Sequence, residues 1–401
     1  MEFGIDSTTQ TILEMIREFM EKEVYPLEPH FLGKSFSEMK PKLEEARDKV
    51  RQMELWAPQL PKELGGVGIG FMGYALCCEE IGRSPIGPYI FGSQAPDAGN
   101  IEILAKYATE EQAEKYMWPL IKGEIRSCFS MTEPEYAGSN PTRMGTTAVK
   151  DGDDYVINGH KWWTSSADGA AFAVVMAVTN PENQSPYQQA SMIIVPTDTP
   201  GFNLIRNVPV MGHQGDDYAS HAEIMYQDCR VPQKNLLGPE GQGFIIAQER
   251  LGPGRIHHCM RYIGIAQRCF EMLCDYAAKR EVGGGKTLAT KQIIQSWIAE
   301  LRAKIHASRL MVLHAAWKID TYGTYEAREE ISLIKFYVAN TMMEVIDKAI
   351  QVHGGLGVSD DTVLSFFYRS ERGARIYDGA DEVHKVVVAR RILRNYQDRT
   401  D

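Results

Sequence analysis

A glycine with acidic neighbours lies near the carboxyl end of the chain, in the run Arg375-Ile376-Tyr377-Asp378-Gly379-Ala380-Asp381-Glu382-Val383-His384. Gly379 would let a ligand approach the backbone closely, and a carboxylate beside it can accept a proton. Together they could hold a carbonyl oxygen and remove the proton from the carbon next to it. The same residue types allow a structural alternative, in which Asp378 or Asp381 caps the helix that follows.

Two polar runs upstream carry further binding chemistry. Residues 130–140 combine hydroxyls with backbone N–H groups in an irregular stretch, which could bind the ring edges or phosphate oxygens of a flavin. The alternative is a polar linker between domains. Residues 159–166 include Trp162 and Trp163, and one ring could face the core of a strand while the other covers a flat ligand. Core packing alone explains one of these tryptophans more readily than both.

The cysteines and histidines give little support to a metal site. The seven cysteines are odd in number and lack a Cys-x-x-Cys spacing, which suits free, packed thiols in a reducing compartment. The ten histidines are scattered and lack the His-Glu-x-x-His spacing, so we expect no bound metal. The glycine-rich run at 65–70 has no Lys-Ser or Lys-Thr after it, and we expect an ordinary loop rather than a phosphate site.

The composition narrows the class of protein. A chain of 401 residues with 44% hydrophobic content can form two or three domains that need no disulfide support. A formal net charge of −10 argues against nucleic acid as the main partner. The longest apolar stretch, at 170–178, is far below the roughly 18 residues of a membrane span, so we expect a soluble protein. Residues 1–4 and 399–401 carry no secretion, retention or lipidation signal, which favours a cytoplasmic location, with a mature mitochondrial form as the alternative.

The hydrophobic periodicity divides the chain into segments at 1–127, 128–240 and 241–401. The first is helical, with capping boxes predicted at Ser7 with Gln10 and at Thr109 with Gln112. The second is a β-sandwich or barrel, with β-prone runs at 146–149, 155–157, 172–178, 192–195 and 222–226. The third predicts an up-and-down four-helix bundle, with helices around 256–280, 291–321, 326–352 and 382–395. The predicted fold class is therefore a multidomain α+β protein.

Several motifs in this order resemble the acyl-CoA dehydrogenase family. They are Met131-Thr132-Glu133-Pro134 followed by Ala137-Gly138-Ser139-Asn140, then Ile157-Asn158-Gly159-x-Lys161-x-Trp163, Gln351-Val352-His353-Gly354-Gly355-Leu356-Gly357 and Tyr377-Asp378-Gly379. Their order and spacing match over nearly the whole chain. The run at 249–261 is more selective, because it resembles the subgroup that contains human family members ten and eleven and their bacterial relatives.

The resemblance implies a flavoenzyme of lipid metabolism that acts in fatty acid β-oxidation. Such an enzyme introduces a trans double bond between Cα and Cβ of an acyl-CoA thioester, and its FAD passes the electrons to an electron-transferring flavoprotein. The family fold has an N-terminal α-helical domain, a middle β-domain and a C-terminal four-helix bundle, with FAD in the cleft between the last two. Members are usually homotetramers or homodimers, and the subgroup favours long or branched acyl chains.

Carried over by position, Asp378 stands where the family keeps its catalytic base, a glutamate in most members. An apolar pocket walled by flavin would raise the pKa of this carboxyl toward the working pH. The backbone N–H of the same residue would bind the thioester oxygen, with Gly379 allowing the close approach. Arg255 aligns with a substrate-side arginine that could bind the CoA or acyl carbonyl region, or could form an ion pair within the bundle. We expect His257 and His258 to pack in the bundle or to support the site indirectly.

The resemblance also implies which residues hold FAD. Those for the isoalloxazine ring and pyrophosphate are Met131, Thr132, Gly138 and Ser139, and those on the strand behind the ring are Trp163, Thr164 and Ser165. Those that would reach the FAD of a neighbouring subunit are Arg280, Gln351 and Gly355. One residue is inserted between Pro134 and Ala137. Ala380 and Glu382 stand where many relatives use Thr and Gln as flavin contacts; Ala380 lacks the hydroxyl, and an ionised Glu382 accepts but cannot donate a hydrogen bond.

Two other functions remain open from the sequence. Aspartate is one methylene shorter than the usual glutamate base, and nitroalkane oxidases, which are relatives of this family, deprotonate a carbon acid with an aspartate. An oxidase of nitroalkanes or of another carbon acid is therefore the second enzymatic hypothesis. The third is a catalytically idle flavoprotein that serves as a binding partner, suggested by Ala380 and the inserted residue.

Overall fold

A computed structural model describes residues 5–397. Its α-helices are α1 (Ser7–Phe19), α2 (Glu28–Leu32), α3 (Phe36–Gln52), α4 (Gly70–Ile81), α5 (Gly87–Ile90), α6 (Asp97–Tyr107), α7 (Glu110–Gln112), α8 (Trp118–Ile121), α9 (Gly243–Lys279), α10 (Gln292–Tyr322), α11 (Arg328–His353), α12 (Gly355–Val358), α13 (Val363–Glu371) and α14 (Asp381–Gln397). Its strands are β1 (Ser127–Ser130), β2 (Thr147–Asp151), β3 (Asp154–Ser165), β4 (Phe172–Val178), β5 (Ala190–Pro196), β6 (Phe202–Asn207), β7 (His221–Pro232) and β8 (Leu236–Leu237). The terminal segments 1–4 and 399–401, expected to carry no targeting signal, lie outside the described residues.

The four long helices expected toward the carboxyl end are α9, α10, α11 and α14. Helix α9 begins at Gly243 rather than near residue 256, so Pro253 lies inside a helix. Glycine and proline lower helix propensity, but propensity is a weak constraint that packing overrides. The domain boundaries expected after residues 127 and 240 stay a prediction.

Residues 5–34, 41–91 and 255–397 form one compact unit. Within it, α10 packs against α4 and α11, and α11 also packs against α13 and α14. Leu301 and Ile305 of α10 and Ile334 and Val338 of α11 are almost completely buried in this core. Their i, i+4 spacing places each pair on one face of its helix, which is why these helices pack side by side.

The helix starts agree only partly with the predicted capping boxes. Asp6 caps α1, because its Oδ1 accepts a hydrogen bond from the Thr9 backbone N–H at 2.9 Å. The box predicted at Ser7 is therefore wrong, since the preceding aspartate supplies the capping oxygen. The box at Thr109 is confirmed: the Thr109 hydroxyl accepts from the Gln112 N–H at 3.2 Å, and the Gln112 side chain accepts from the Thr109 N–H at 3.1 Å.

The glycine-rich run at 65–70 is a loop that leads into α4, as expected. The carboxylate of Asp320 accepts hydrogen bonds from the backbone N–H groups of Phe71 at 3.0 Å and Met72 at 2.9 Å. These are the donors at a helix start that a phosphate would otherwise use. An internal carboxylate thus occupies the place where the sequence first suggests a phosphate cradle.

Residues 35–40 and 92–254 form a second compact unit around one sheet. Its strands pair in the order β6-β7-β3-β2-β4-β5-β8, with β1 parallel to β4. The central strands β4 and β5 are buried along almost their whole length, as expected for continuous apolar runs. Strands β1, β6 and β8 were not among the predicted runs. Half of the β6 side chains are exposed, the other half are only partly buried, and β8 has two residues, so neither strand leaves a clear hydrophobic pattern.

All seven cysteines are free thiols, as expected, and six of them are buried. Between residues 5 and 397, no helix is long and apolar enough to cross a membrane.

Candidate active site

Asp378 and Gly379 lie in the loop that precedes α14, and both have left-handed backbone angles, with φ of +55° and +98°. Glycine adopts this conformation without steric cost, and aspartate is among the few other residues that visit it readily. A Cβ at Gly379 would lie 2.7 Å from Nε2 of His384. The loop therefore needs a glycine at this position, both for its backbone angle and for the space beside His384.

Lys335 of α11 is completely buried and fixes the course of this loop. Its ammonium donates hydrogen bonds to the carbonyl oxygens of Ala374 at 2.7 Å and Tyr377 at 2.9 Å, and lies 3.5 Å from that of Gly379. Burial lowers the pKa of Lys335, and the nearby carboxylate of Asp378 opposes that effect. A buried cation bonded to carbonyls before and after Asp378 holds the backbone on either side of this residue in one conformation.

The side chain and the carbonyl of Asp378 have separate partners. Nε2 of His258 lies 3.1 Å from the carboxylate oxygen Oδ2 of Asp378, and both side chains are largely buried. Nε of Arg255 donates to the Asp378 carbonyl oxygen at 2.8 Å, and Nε2 of His384 lies 3.2 Å from the same oxygen. Burial lowers the pKa of His258, with Asp378 acting in the opposite direction. A neutral His258 therefore donates its Nε2 proton, because an ionised carboxylate can only accept.

Tyr377, the residue before Asp378, is held by a second set of contacts. The hydroxyls of Tyr262 and Tyr377 lie 2.5 Å apart, and Nη2 of Arg261 donates to the Tyr377 hydroxyl at 3.2 Å. Burial raises the pKa of Tyr377 far above its usual range. This tyrosine is therefore an anchor of the loop and stays protonated at neutral pH.

Asp381 has a structural role that differs from that of Asp378. It is buried as the first residue of α14, and its Oδ2 accepts hydrogen bonds from Nε of Arg375 and Nδ2 of Asn340, each at 2.8 Å. Asp378 lies three residues before the helix, and its carboxylate pairs with His258 instead. Ala380 is half-buried and Glu382 is exposed in the first turn of α14.

In the β unit, a buried ion pair shapes the loop after β1. Nζ of Lys161 donates to Oε1 of Glu133 and to the Met131 carbonyl oxygen, both at 2.8 Å, and the lysine side chain is fully buried. The Glu133 carboxylate also accepts from the backbone N–H groups of Gly145 at 2.5 Å and Thr146 at 2.9 Å. Burial lowers the pKa of Lys161 to about 8. Glu133 and Lys161 therefore tie both ends of the 131–146 loop to β3.

The two tryptophans lie at an irregularity in the pairing of β3 with β7, between Lys161 and Thr164. Such a bulge re-aims the side chains around it. Trp163 has a left-handed φ of +53°, and 41% of its surface is exposed. Trp162 is half-buried, and its indole Nε1 has no hydrogen-bond partner among the described residues. The exposed ring of Trp163 offers the flat aromatic face that was expected to cover a ligand.

The other residues predicted for FAD fall into distinct environments. Met131, Thr132 and Gly138 line one small pocket of the loop together with Tyr136 and Arg143. Ser139 is exposed. Thr164 is buried with its hydroxyl 3.3 Å from that of Ser130, and the Ser165 hydroxyl lies 2.8 Å from Nδ1 of His221. These two hydroxyls therefore have partners within the β unit.

Arg280, Gln351 and Gly355, which were predicted to reach a neighbouring subunit, are all exposed. Arg280 follows the last residue of α9, Gln351 lies in the last turn of α11 and Gly355 begins α12. Their exposure is compatible with a contact outside the chain.

Sequence reasoning missed Lys335 and gave His258 no specific partner. The periodicity of α11 could have identified the lysine, because residues 331, 335 and 338 share one face of this helix and the neighbours of Lys335 on that face are apolar. A lysine on the buried face of a helix requires internal partners. No local pattern pairs His258 with Asp378, because 120 residues separate them in sequence.

Comparisons with known proteins agree with this architecture. Family models of the acyl-CoA dehydrogenase N-terminal, middle and C-terminal domains match residues 6–124, 128–229 and 241–393. Acyl-CoA dehydrogenase family member 11 of Gallus gallus is 44% identical over 95% of this chain and 50% of its own length. The probable acyl-CoA dehydrogenase FadE2 of Mycobacterium tuberculosis is 42% identical over 97% of this chain and 96% of its own. A Mycobacterium abscessus structure assigned to the acyl-CoA dehydrogenases is 39% identical, covers 98% of this chain and 100% of its own, and superimposes with a TM-score of 0.94.

The chain belongs to the acyl-CoA dehydrogenase family, a class of FAD-dependent oxidoreductases. The predicted fold class, with helical, β and helical parts in that order, is confirmed. The match to family member 11 also confirms the resemblance to its subgroup. The chain spans about half the length of that relative.

Proposed function

We propose that this chain is an FAD-dependent acyl-CoA dehydrogenase in which Asp378 removes the α-proton of an acyl-CoA thioester. The observation that supports this most directly is the left-handed loop at 378–379, which presents a largely buried carboxylate beside His258. By the sequence resemblance, the loop stands where the family keeps its catalytic base, and the chain belongs to that family. The glycine that follows the carboxylate allows this left-handed turn beside His384.

The chemistry follows from the groups of this loop. Asp378 accepts the α-proton on a carboxylate oxygen as the Cα–H bond breaks. Its backbone N–H donates to the thioester oxygen and stabilises the negative charge that develops there. Arg255 and Lys335 fix the two carbonyls that flank this N–H, so the donor is oriented before substrate arrives. When bound, FAD supplies the acceptor for the hydride that leaves Cβ, and both hydrogens of the oxidation then have a destination.

The residues that the sequence resemblance names would hold the cofactor. Met131, Thr132, Gly138 and Ser139 offer backbone donors and hydroxyls, and Trp163 offers an exposed aromatic face. The remaining proposed contacts are Thr164, Ser165, Arg280, Gln351, Gly355, Ala380 and Glu382.

Anaerobic flavin spectroscopy tests this function. The purified protein should be yellow, and acyl-CoA thioesters should bleach it, with long or branched chains acting fastest; the matching free fatty acids serve as the control. A colourless protein that takes up no FAD would contradict the proposal. A yellow protein that no thioester in a broad panel reduces would instead support a catalytically idle flavoprotein.

We also propose that the electrons pass to an electron-transferring flavoprotein and that the chain works as a homotetramer or homodimer. The exposure of Arg280 and Gln351 supports a role for them in assembly or in binding the neighbouring subunit's FAD. Coupled dye reduction with and without the acceptor flavoprotein tests the first proposal. Sedimentation and FAD content of Arg280→Ala test the second, and a monomer that binds FAD fully would contradict it.

A second candidate function is the oxidation of a nitroalkane or another carbon acid. Asp378 favours it, because an aspartate base departs from the family's usual glutamate. Oxygen uptake with release of hydrogen peroxide, and no response to acyl-CoA thioesters, would select this function over the dehydrogenase.

A further inference from the structure

We infer that His258 is a positioning residue that holds the Asp378 carboxylate in one orientation by donating the Nε2 proton to Oδ2. The two atoms lie 3.1 Å apart, within hydrogen-bond reach. The inference rests on the proposed function, in which Asp378 is the base. It adds a requirement that the family resemblance does not contain: the base needs a histidine from α9 to be effective.

The imidazole of His258 is itself held in place by two tyrosines. It stacks on Tyr262, one turn further along α9, with the rings 14° from parallel and their centroids 6.1 Å apart. Tyr377 approaches at 5.0 Å with its ring tilted by 58°. Since the hydroxyls of these tyrosines are bonded to each other, both rings are fixed. A donor on a fixed ring can impose its direction on the carboxylate.

A neutral His258 can donate a hydrogen bond to Asp378 without greatly weakening this carboxylate as a base. Burial lowers the pKa of His258, so its ring is neutral at working pH and its Nε2 proton points to the carboxylate. A charged imidazolium would stabilise the ionised carboxylate more strongly and make it a weaker base. The titratable and charged side chains that face the pair are Arg255, His257, Cys259, Arg261, Tyr262, Lys335, Tyr377 and His384.

The side-chain torsion of an aspartate explains why it needs this bond. Rotation about Cβ–Cγ, a torsion between sp³ and sp² atoms, has a broad profile, so packing fixes it poorly. A base must point at the α-proton within a few tenths of an ångström, and a misplacement of about 1 Å can cost roughly 100-fold in rate. The hydrogen bond from Nε2 of His258 restricts this rotation by holding the carboxylate oxygen Oδ2 of Asp378. His258 thereby acts through Asp378 and needs no contact with the substrate.

Two substitutions of His258 distinguish the effect of losing the hydrogen bond from the effect of losing the ring. His258→Phe removes the donor and keeps an aromatic side chain against the tyrosines, whereas His258→Gln places an amide donor near the position of Nε2. We expect His258→Phe to slow anaerobic flavin reduction by roughly 100-fold, while substrate affinity and FAD spectrum stay near those of the wild type. The acid limb of its kcat/KM profile should move to higher pH, because the ionised carboxylate loses a donor. His258→Gln should recover most of the rate.

The neighbouring His257 provides a matched control. It is a histidine of the same helix that packs against Phe71 and Tyr74, with centroid distances of 5.5 and 5.0 Å. His257→Asn should lower thermal stability with little change in the rate of flavin reduction. Equal rate losses in His258→Phe, His258→Gln and His257→Asn would overturn the inference, because they would indicate general disruption of α9. A His258→Phe enzyme with the wild-type rate and pH profile would overturn it too.

A direct measurement keeps the inference separate from the proposed function. If no thioester reduces the wild type, the function fails, and ¹⁵N NMR of the histidine-labelled holoprotein still reads the hydrogen bond. The signal of His258, assigned by its loss in His258→Gln, should show a neutral ring protonated at Nε2. In Asp378→Ala the neutral ring of His258 should no longer prefer protonation at Nε2. A proton on Nδ1 instead, or no response to Asp378→Ala, would overturn the inference.

Discussion

The ammonium of Lys335 lies 2.9 Å from the carbonyl oxygen of Tyr377, the residue that precedes the proposed base. These residues are 42 positions apart, on different elements. The loop that presents Asp378 is therefore fixed by a cation from α11 as well as by its own sequence. The lysine is fully buried, so an apolar replacement would leave these carbonyls without their donor.

Replacing Lys335 should destabilise the protein and impair the loop. Lys335→Met keeps the length of the side chain but leaves buried carbonyl oxygens without a donor, which should lower the free energy of unfolding by about 2–4 kcal/mol. Denaturant unfolding measures this, with Lys279→Met on the exposed surface of α9 as the control. Equal unfolding curves for the two variants would contradict the role assigned to Lys335.

Gly379 should tolerate no larger residue. In Gly379→Ala the added methyl group meets His384 and the left-handed backbone becomes strained, so the Asp378 N–H moves. We expect flavin reduction to slow by about tenfold or more while FAD still binds. Gly254→Ala in α9 is the control, since a Cβ there meets nothing within 4 Å. Unchanged reduction kinetics in Gly379→Ala would argue against a close backbone approach at this site.

The ion pair of Lys161 with Glu133 should be needed for cofactor retention. Lys161→Met leaves a buried carboxylate without its counter-charge, a loss of about 3–5 kcal/mol, and loosens the 131–146 loop. We expect the FAD content per chain to fall, as read from the absorbance of the purified protein. The double variant Glu133→Gln/Lys161→Met should recover part of it, and Lys150→Met, on an exposed side chain of β2, should have no effect. Full FAD content in Lys161→Met would refute this prediction.

His384 should make the protein sensitive to acid. Burial lowers the pKa of His384 to about 4, whereas in the unfolded chain it is about 6.5. Between these values the unfolded state binds a proton that the folded state does not, so stability falls as the pH falls. The loss from this residue between pH 6.5 and 5 is about 2 kcal/mol. In urea unfolding, His384→Gln should lose less of its free energy of unfolding between pH 6.5 and 5 than the wild type does. The control His306→Gln, at an exposed position, should lose as much as the wild type.

The fold could be predicted where hydrophobic periodicity is strong. The long helices α10 and α11 and the apolar strands β4 and β5 follow directly from their patterns. Strand β6 could not be predicted, since none of its side chains is buried and its position depends on pairing with β7. Helix α9 begins at Gly243, ahead of the long segment expected around 256–280, because packing overrides the low helix propensity of glycine and proline.

The site could be predicted only where chemistry and local sequence coincide. Asp378 and Gly379 were found because a carboxylate next to a glycine is informative without any knowledge of the fold. The partners of Asp378 could not be found this way, because Arg255 and His258 reach it from more than 100 residues away. Such contacts depend on the packing of α9 against the loop, which no local pattern records.

The central claim is that Asp378 is the base. In stopped-flow mixing with an acyl-CoA that reduces the wild type, Asp378→Asn should keep its bound FAD and the yellow colour. Its flavin reduction should be slower by about 1,000-fold, since an amide cannot accept the α-proton. Asp275→Asn, which alters an exposed carboxylate of α9, is the matched control and should react at the wild-type rate. An Asp378→Asn enzyme that is reduced within about tenfold of the wild-type rate would contradict the account.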